Sequence, residues 1–262
     1  MEHQSSVAWK TIKVNGDQYI EVEDEIATEF PLTIRLDGKE FATLVCTPSH
    51  LNDLIVGFLA SEGIIRTMED IKSLTLDEDR GFAHIDLHRP QSTAKEFHSK
   101  RIIGSCCGKS RQFYFHNDAR TAKTIVGGSS IPAKRCFELM KLMQMSSVDF
   151  HVTGGVHNAA LCDNDGLMEV RMDIGRHNAL DKLFGHSIRN RLQSKKQLIV
   201  FSGRLSSEVV LKVAKIGCPI LLSKSAPTDL ALQLAEDLGI TCVGFIRSDN
   251  MNVYTHSHRI IL

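Results

Sequence analysis

The pattern of apolar and polar positions divides the chain into two parts. Between residues 7 and 46, short β-branched and aromatic runs alternate with polar residues around a turn at Asp37-Gly38, which predicts strands. Thr47-Pro48 has the residue types of a helix cap and first turn, and apolar residues recur at helical spacing from Leu51 to Leu59. Residues 71–90 return to alternation. The first part therefore predicts a small α+β unit.

The second part alternates strand and helix patterns in strict order. Three short apolar runs predict strands, and two segments between them have helical periodicity, in the order 197–201, 206–216, 219–222, 228–238 and 240–246. Gly217 and Gly239 stand where glycine commonly ends a helix. The β-α-β-α-β order is typical of helices packed on a sheet through right-handed crossovers. An earlier helix is predicted with one apolar face, formed by Cys136, Leu139, Met140 and Met143.

A Gly- and Ser-rich stretch at 126–132 is the best candidate for the boundary between the two parts. We therefore predict an N-terminal α+β region at 1–125 and an α/β domain at 126–262. Residues 98–125 mix Gly, Ser, Cys and basic residues without a clear period, which indicates an exposed functional loop, with its cysteine-bearing part at about 98–115.

Composition and charge exclude some classes of protein. Lysine plus arginine equals aspartate plus glutamate at 31 each, so the basic excess of a nonspecific nucleic-acid binder is absent. No apolar run approaches the length of a membrane helix, and the N-terminus lacks the basic and apolar stretches of a signal peptide. We therefore expect a cytoplasmic protein that binds neither nucleic acid nor membrane.

Seven scattered cysteines predict free thiols in a reducing compartment, most of them packed as small buried hydrophobes. Cys106 and Cys107 differ because they are adjacent and stand among flexible and basic residues, including Lys109 and Arg111. Nearby cations lower the pKa of a thiol and so favour the reactive thiolate. The alternative is that both are unremarkable cysteines of a surface loop.

Two further segments have candidate catalytic or ligand-binding residues directly after glycines. In residues 153–160, glycines precede His157 and Asn158, which allows close approach of the backbone to a ligand. Arg176, His177 and Asn178 follow a glycine in the second segment, where an arginine can bind phosphate and a histidine can act as acid or base. The alternatives are a packed histidine in a turn and an ordinary amphipathic helix.

Three loops follow the predicted C-terminal strands. Arg204 and Ser206 lie in the first, and Ser225 and Thr228 lie in the second, each before a helix whose free N–H groups favour anions. Such loops at the carboxyl ends of strands are the usual ligand sites of open α/β sheets. The alternative is plain helix capping by Ser206 and Thr228. The third loop carries Phe245 and Arg247, which could clamp a flat heterocycle, or it is simply a polar turn.

In combination, these motifs closely resemble the formate dehydrogenase accessory sulfurtransferases, the FdhD family. The Gly-Arg-His-Asn-Ala and Ser-Gly-Arg-x-Ser strings are the most specific. The resemblance covers nearly the whole chain from about residue 30, through Pro31-Leu32-Thr33-Ile34-Arg35, Cys46-Thr47-Pro48, Val56-Gly57-Phe58-Leu59, Ser61-Glu62-Gly63-Ile64-Ile65, 153–161, 173–182, 202–208, 225–228, 244–247 and Val253-Tyr254-Thr255.

The resemblance implies a function, a fold and partners. Members take sulfur from a cysteine desulfurase as a persulfide on a loop cysteine, and pass it to bis-molybdopterin guanine dinucleotide before this cofactor enters formate dehydrogenase. The main domain of the family is a cytidine-deaminase-like, three-layer α/β fold, and members are homodimers. The stretch that matches the family's cofactor-binding segment is Phe245, Ile246, Arg247, Ser248, Asp249 and Asn250.

The chain departs from the family pattern at two places. Many members have C-G-x-C in the loop, whereas Gly104 occupies the first cysteine position in one register here. Both possible registers place a family cysteine at Cys107, which we therefore predict to carry the persulfide, with Cys106 in an assisting or resolving role. Met172 stands where many members have a carboxylate before Asp173.

The deaminase-like fold does not imply a deaminase. Zinc deaminases require H-x-E and P-C-x-x-C, but Asn158-Ala159 follows His157, and Cys218-Pro219 has the wrong order. We therefore expect no resident metal. We expect Arg204, Ser206, Ser225, Thr228 and Arg247 to hold phosphates and guanine, and Arg176, His177 and Asn178, with His157, to lie near the dithiolene. The alternatives are a non-catalytic cofactor chaperone and a nucleotide-dependent enzyme.

Overall fold

The structure is a computed structural model that describes residues 4–89, 102–103, 122–147, 152–192 and 194–262. Among these residues, the predicted succession of a strand-rich first part and an alternating second part is present. No helix within the described ranges is long and apolar enough to cross a membrane.

The first part contains a separate hairpin and a five-stranded sheet. The hairpin consists of β1 (Ser6–Asn15) and β2 (Gln18–Ala27). The sheet has the order β5-β6-β3-β4-β7, with bounds Ile71–Asp77, Phe82–Leu87, Phe30–Leu36, Lys39–Cys46 and Ile102–Ile103. Alternate residues of β3 are buried, so one face of this sheet packs against helix α1 (Leu51–Ser61).

The second part is built on a six-stranded sheet in the order β10-β9-β11-β12-β13-β14. Their bounds are Leu167–Asp173, His157–Cys162, Leu198–Phe201, Ile220–Ser223, Thr241–Arg247 and Asn250–Val253. The central strands β11, β12 and β13 are parallel, and β9, β10 and β14 extend the sheet in antiparallel fashion. A short parallel pair joins β8 (Ile131–Pro132) to β15 (Ile260–Ile261).

Helices cover both faces of this sheet. One face packs against α2 (Ala133–Ser146), and the other packs against α3 (Arg176–Arg189), α4 (Ser207–Ile216) and α5 (Asp229–Leu238). Strand β9 shows the two layers directly, because Ala159 and Leu161 join the core on the α3 side while Ala160 and Cys162 join the core on the α2 side. The mixed α/β architecture with a three-layer second part is confirmed.

Several local predictions are also confirmed. The buried residues of α2 are the four that define its predicted apolar face: Cys136, Leu139, Met140 and Met143. Gly217 and Gly239 end α4 and α5 in the left-handed conformation, with φ of 95° and 72°. Gly239 is also required for space, because a Cβ there would collide with the Ile125 carbonyl oxygen.

The prediction that Thr47 caps the first helix is wrong. Helix α1 begins at Leu51, and its N-cap is His50 in the left-handed conformation. Thr47 is instead fully buried, and it forms hydrogen bonds between the first and the second part of the chain. Its backbone N–H donates to Asp173 Oδ2 at 3.0 Å, and its hydroxyl accepts from the Ile174 N–H at 3.0 Å.

Helices α1 and α3 cross in direct backbone contact. A Cβ on Gly57 would collide with the Asp181 carbonyl oxygen, and a Cβ on Gly185 would collide with the Asp53 carbonyl oxygen. Each helix thus offers a glycine where the other helix passes. The two parts are thereby held at a separation that any larger side chain would prevent.

Buried ion pairs surround this crossing. Lys182 is fully buried, and its ammonium lies 2.7 Å from Asp173 Oδ2 and donates to the Thr47 and Met172 carbonyls. Arg171 pairs with buried Asp53 at 2.8 Å, and Lys212 pairs with Asp181. Because an unpaired buried charge is costly, removing one partner of any of these pairs should destabilise the contact.

The glycine crossing generates a stability prediction. An exposed helical glycine replaced by alanine usually gains stability, by about 1 kcal/mol. Gly57→Ala should have the opposite sign and cost at least about 2 kcal/mol, because the methyl group has no space beside the α3 backbone. Urea unfolding would measure the change, with Asn52→Ala at an exposed position of α1 as the control. A stabilised Gly57→Ala variant would contradict the crossing.

Candidate functional site

The three C-terminal loops lie at one edge of the six-stranded sheet. Because β11, β12 and β13 are parallel, their last residues and the segments that follow them, within 202–206, 223–228 and 245–250, lie at the same edge. Strand β9 is antiparallel to β11, so its first residue, His157, starts there as well. The Asn158 N–H donates to the Ser202 hydroxyl at 2.9 Å, which fixes the start of β9 against the first loop.

Hydrogen bonds join the three loops into one surface. The Ser223 hydroxyl donates to the Gly203 carbonyl at 2.8 Å, and the Ser225 hydroxyl donates to the Ser202 carbonyl at 3.2 Å. The Phe245 N–H donates to the Ser225 carbonyl at 3.2 Å. The predicted grouping of these loops is therefore present among the described residues.

Capping does not explain the hydroxyl residues before α4 and α5. Ser206 and Thr228 occupy the N-cap positions with extended backbones, but neither side chain makes a capping hydrogen bond. The Ser206 hydroxyl oxygen is buried and has no hydrogen-bond partner among the described residues. The alternative of plain capping by these two side chains is therefore wrong, and the first N–H groups of both helices are not satisfied by them.

A cavity of about 240 Å³ opens beside this surface. It lies between the end of α2, the turn before β9, and the first two loops. Its lining includes Gly154, Gly155, His157, Asn158, Ser202 and Lys224. The cavity thus combines a neutral glycine wall with an imidazole, a hydroxyl and a cation, which suits a polar ligand with negative charge.

Arg176 and His177 enter the site from the first turn of α3. A Cβ on Gly203 would lie 3.4 Å from the Arg176 Cβ and 2.7 Å from the Phe201 ring, so glycine is needed for this approach. The Arg176 Nε atom is buried and has no hydrogen-bond partner among the described residues. A buried donor of this kind is a natural contact for an anionic ligand.

His177 is paired with Glu208 of α4, since its Nε2 atom lies 2.9 Å from Glu208 Oε2. Burial lowers the pKa of His177 below its usual 6.5, and the adjacent Glu208 carboxylate partly opposes this effect. Burial also lowers the pKa of His157, with Arg176 and His177 adding to the effect. Both imidazoles are therefore neutral near pH 7 and can accept a proton or a hydrogen bond.

The third loop has an unusual backbone. Phe245 and Ser248 have left-handed φ values of 52° and 42°, where β13 and β14 lose regular pairing. Such a conformation costs of order 1–3 kcal/mol for a bulky residue and concentrates at functional sites. The Arg247 guanidinium lies 5.9 Å from the centre of the Phe245 ring, which is 36% exposed. The aromatic and the cation predicted from sequence are thus brought together.

The remaining residues predicted for the site differ in their exposure at the loop surface. Arg204 is exposed, and Ser225 and Thr228 are half-buried at the loop surface. Asn178 and Ile246 are buried instead. The Asn178 amide donates to the Val45 carbonyl and to Asp173, and Ile246 packs in the core on the α2 side. Ser248 and Asp249 form the turn between β13 and β14, and Asn250 is the first residue of β14. Binding by any of these residues stays a prediction.

The predicted persulfide residues Cys106 and Cys107 lie outside the described residues. The five other cysteines are all buried, as predicted: Cys46, Cys136, Cys162, Cys218 and Cys242. Burial raises the pKa of Cys46, Cys136, Cys162 and Cys242 to about 12, and raises that of Cys218 as well. These five thiols are therefore poor nucleophiles at neutral pH.

Sequence reasoning missed Glu208 and the α2 side of the cavity. Glu208 belongs to a recognised motif, but it is 31 positions from His177, so no local spacing reveals the pair. Met143 and Gln144 line the cavity from the end of α2, where the sequence pattern indicates only a packed helix.

The fold and site define a class of protein: a three-layer α/β domain, joined to a smaller sheet domain, with polar and basic side chains grouped at the carboxyl edge of its main sheet. The sequence model of the FdhD/NarQ family matches residues 27–261, and the chain belongs to this family. The family resemblance predicted from the motifs is thus confirmed.

Similar proteins are known by sequence and by structure. The sulfur carrier protein FdhD of Geobacillus kaustophilus is 60% identical over 250 residues, which cover 95% of each chain. That of Bacillus subtilis is 57% identical over 239 residues, or 91% of each chain. The crystal structure of a formate dehydrogenase accessory protein from Desulfotalea psychrophila is similar with a TM-score of 0.82 and 25% identity, covering 98% of this chain and 100% of that chain.

The His177–Glu208 pair generates a pH prediction. Glu208→Gln should lower the pKa of His177 further, because the carboxylate that favours the imidazolium form is lost. An NMR titration of the His177 imidazole would measure the shift. Glu236→Gln, which changes a carboxylate near His256, should leave the His177 titration unchanged. An unchanged or raised pKa of His177 in the Glu208→Gln variant would contradict the pairing.

Proposed function

We propose that this protein takes sulfur from a cysteine desulfurase as a persulfide on Cys107 and transfers it to bis-molybdopterin guanine dinucleotide. The transfer precedes insertion of this cofactor into formate dehydrogenase. The protein works in the cytoplasm as a homodimer, and Cys106 assists or resolves the persulfide. The starting point is membership of a family whose curated members are named sulfur carrier proteins.

The observation that carries the choice of cysteine is the burial of the other thiols. Sulfur transfer needs a thiolate that a partner protein can reach. Five of the seven cysteines are buried, and burial raises the pKa of each thiol. Cys106 and Cys107 are the remaining two, and Lys109 and Arg111 follow them closely in sequence. Neighbouring cations favour both the thiolate and the persulfide anion.

The edge of the six-stranded sheet is the proposed binding site for the cofactor, which is the cargo of the protein. The cargo carries phosphates, and Lys224 and Arg204 supply cationic groups around the first two loops. The uncapped N-terminal turns of α4 and α5 add N–H groups to the same edge. Phe245 and Arg247 offer a ring and a guanidinium on which a guanine base can stack.

The neutral histidines suit the end of the site where sulfur is delivered. When the persulfide gives up its terminal sulfur, the S–S bond breaks with its electron pair on the cysteine, which is released as a thiolate, and the molybdenum centre of the cargo supplies the two electrons for its bond to the sulfur. His157 and His177 are neutral near pH 7, so Arg176 is the one cation among these three side chains. Glu208 fixes the orientation of the His177 ring. In this proposal, Arg176 and His177 face the dithiolene end of the cargo.

The principal alternative is a cofactor chaperone that binds and delivers the cargo without carrying sulfur. The same binding edge serves both functions, so the site alone does not separate them. The difference lies in Cys107, which the chaperone does not need.

Mass spectrometry of the peptide that contains residues 106 and 107 tests sulfur carriage. After incubation with a cysteine desulfurase and cysteine, the wild-type peptide should gain one sulfur, and Cys107→Ser should lose this gain. Cys106→Ser is the matched control, and it should retain the added sulfur. Absence of added sulfur in the wild type, or its persistence when both cysteines are replaced, would favour the chaperone.

Calorimetric titration with guanosine monophosphate, the nucleotide part of the proposed cargo, tests the binding edge. Lys224→Ala should weaken binding about tenfold, because a charged hydrogen bond contributes about 1.5–3 kcal/mol. Lys195→Ala changes an exposed lysine before β11, at the opposite end of that strand, and should have no effect. Equal weakening by both variants, or no binding by the wild type, would contradict the assignment of this edge.

A further inference from the structure

A second cavity lies between the two parts of the chain, at the end of α3 opposite to the candidate site. Its volume of about 410 Å³ falls within the usual range of small-molecule sites. Residues 66–69 form its wall from the first part, and the end of α3 forms the wall from the second part, together with Lys123 and Ile216. We call it the α3-end cavity. Because α3 begins with Arg176 at the candidate site, the length of the helix, about 20 Å, separates this cavity from that site.

The rim of the α3-end cavity is mainly basic. Arg66, Lys123 and Arg191 are exposed there, and Glu69 is the single carboxylate among the described lining residues. Three cations against one carboxylate leave an excess of two positive charges, although acidic and basic residues are equal in number over the whole chain. An anion is therefore the favoured kind of ligand.

The floor of the same cavity is apolar. Met68, Phe184, Ile188 and Leu192 line it as half-buried side chains. All four also pack against one of the hydrophobic cores, so their positions are held by the fold. A ligand that suits both the floor and the rim joins an apolar group to an anionic one.

Arg191 has a backbone conformation that usually requires glycine. Its N–H donates to the Ile188 carbonyl at 3.1 Å, and the Leu192 N–H donates to the Ser187 carbonyl at 2.9 Å, so α3 ends in a Schellman motif. Helices α4 and α5 have glycine at their left-handed ends, whereas here an arginine has φ of 52°. This conformation is unfavourable for an arginine, so its side chain should contribute something that glycine cannot.

The ion pair between Arg191 and Glu69 is a weak reason for this arginine. The guanidinium donates to Glu69 Oε1 at 2.6 Å, but the two side chains are 82% and 60% exposed. Pairs as exposed as this contribute little to stability because water and salt screen them. The bond does hold the guanidinium beside the cavity. A guanidinium has five N–H donors, so others can bind a phosphate or a carboxylate.

We propose that the α3-end cavity binds a small organic anion, in which an aromatic or aliphatic group carries a phosphate or a carboxylate. The apolar group lies on the apolar floor, and Arg191, Arg66 and Lys123 bind the anionic group at the rim. The site is additional to the proposed cofactor-binding edge and does not depend on sulfur transfer. Because its walls come from both parts of the chain, a bound ligand contacts both parts at once.

The probe for this site is 1-naphthyl phosphate, because it joins a flat apolar group to a phosphate. Calorimetric titration of the full chain should show saturable binding. Inorganic phosphate cannot use the floor, and 1-naphthol cannot use the rim. Each should therefore bind at least about tenfold more weakly than 1-naphthyl phosphate.

Arg191→Gly separates a ligand-binding role from a structural one. It should weaken binding of 1-naphthyl phosphate about tenfold, because a charged hydrogen bond is lost. It should leave the midpoint of thermal unfolding unchanged or raise it by about 2 °C, because glycine suits the left-handed position. Arg80→Ala is the matched control, since Arg80 is 81% exposed and pairs with Asp77 outside the cavity. This control should leave binding unchanged.

Three results would overturn the proposal. They are a wild-type chain that shows no saturable binding of 1-naphthyl phosphate, equal binding by the wild-type and Arg191→Gly chains, and loss of binding in Lys224→Ala but not in Arg191→Gly. The last result would assign the probe to the cofactor-binding edge. The titrations use no sulfur donor and no cofactor, so their failure would leave sulfur transfer by Cys107 unaffected.

Discussion

The contact between Gly57 and Gly185 is the constraint on which the rest of the structure depends. Helices α1 and α3 meet backbone to backbone, and this contact joins the sheet of the first part to the sheet of the second. The close approach brings Asp173, Lys182 and Thr47 together in a region without solvent, where each charge and N–H group is satisfied by a group from the other side. A side chain at either glycine would separate Thr47 from Asp173 and Lys182, and would also separate the buried ion pair of Arg171 with Asp53, which joins the two parts.

The candidate site depends on the same contact, because α3 begins at the site and then crosses α1. Arg176 and His177 are in its first turn, and Asp173 at the end of the preceding strand receives hydrogen bonds from Thr47 and Asn178. The position of α3 therefore determines how far these two side chains extend over Gly203 and toward Glu208. The buried pairs thus have a structural role that also orients the site.

Much of the fold could be predicted because the sequence patterns that determine its helices and strands involve residues close together in the chain. The glycines after α4 and α5, the apolar face of α2 and the order of the C-terminal strands depend on neighbouring residues. Thr47 could not be assigned correctly, since its partners Asp173 and Ile174 are more than 120 positions away. The Gly57–Gly185 contact and the His177–Glu208 pair are non-local for the same reason. The capping alternative for Ser206 and Thr228 is wrong. A serine or threonine before a helix shows that a capping hydrogen bond can form, but the residue type does not show that the side chain adopts the conformation that forms it.

Passage of sulfur through Cys107 to the cofactor is tested most directly by following delivery of the sulfur atom. A chain loaded with heavy-isotope sulfur should be used to mature formate dehydrogenase in the presence of unlabelled cysteine, and the cofactor should then be isolated for mass spectrometry. We expect the heavy sulfur to be found in the cofactor with the wild-type chain, and we expect the Cys107→Ser chain to yield neither labelled cofactor nor active enzyme. An active enzyme with unlabelled cofactor, or maturation by the Cys107→Ser chain, would contradict it.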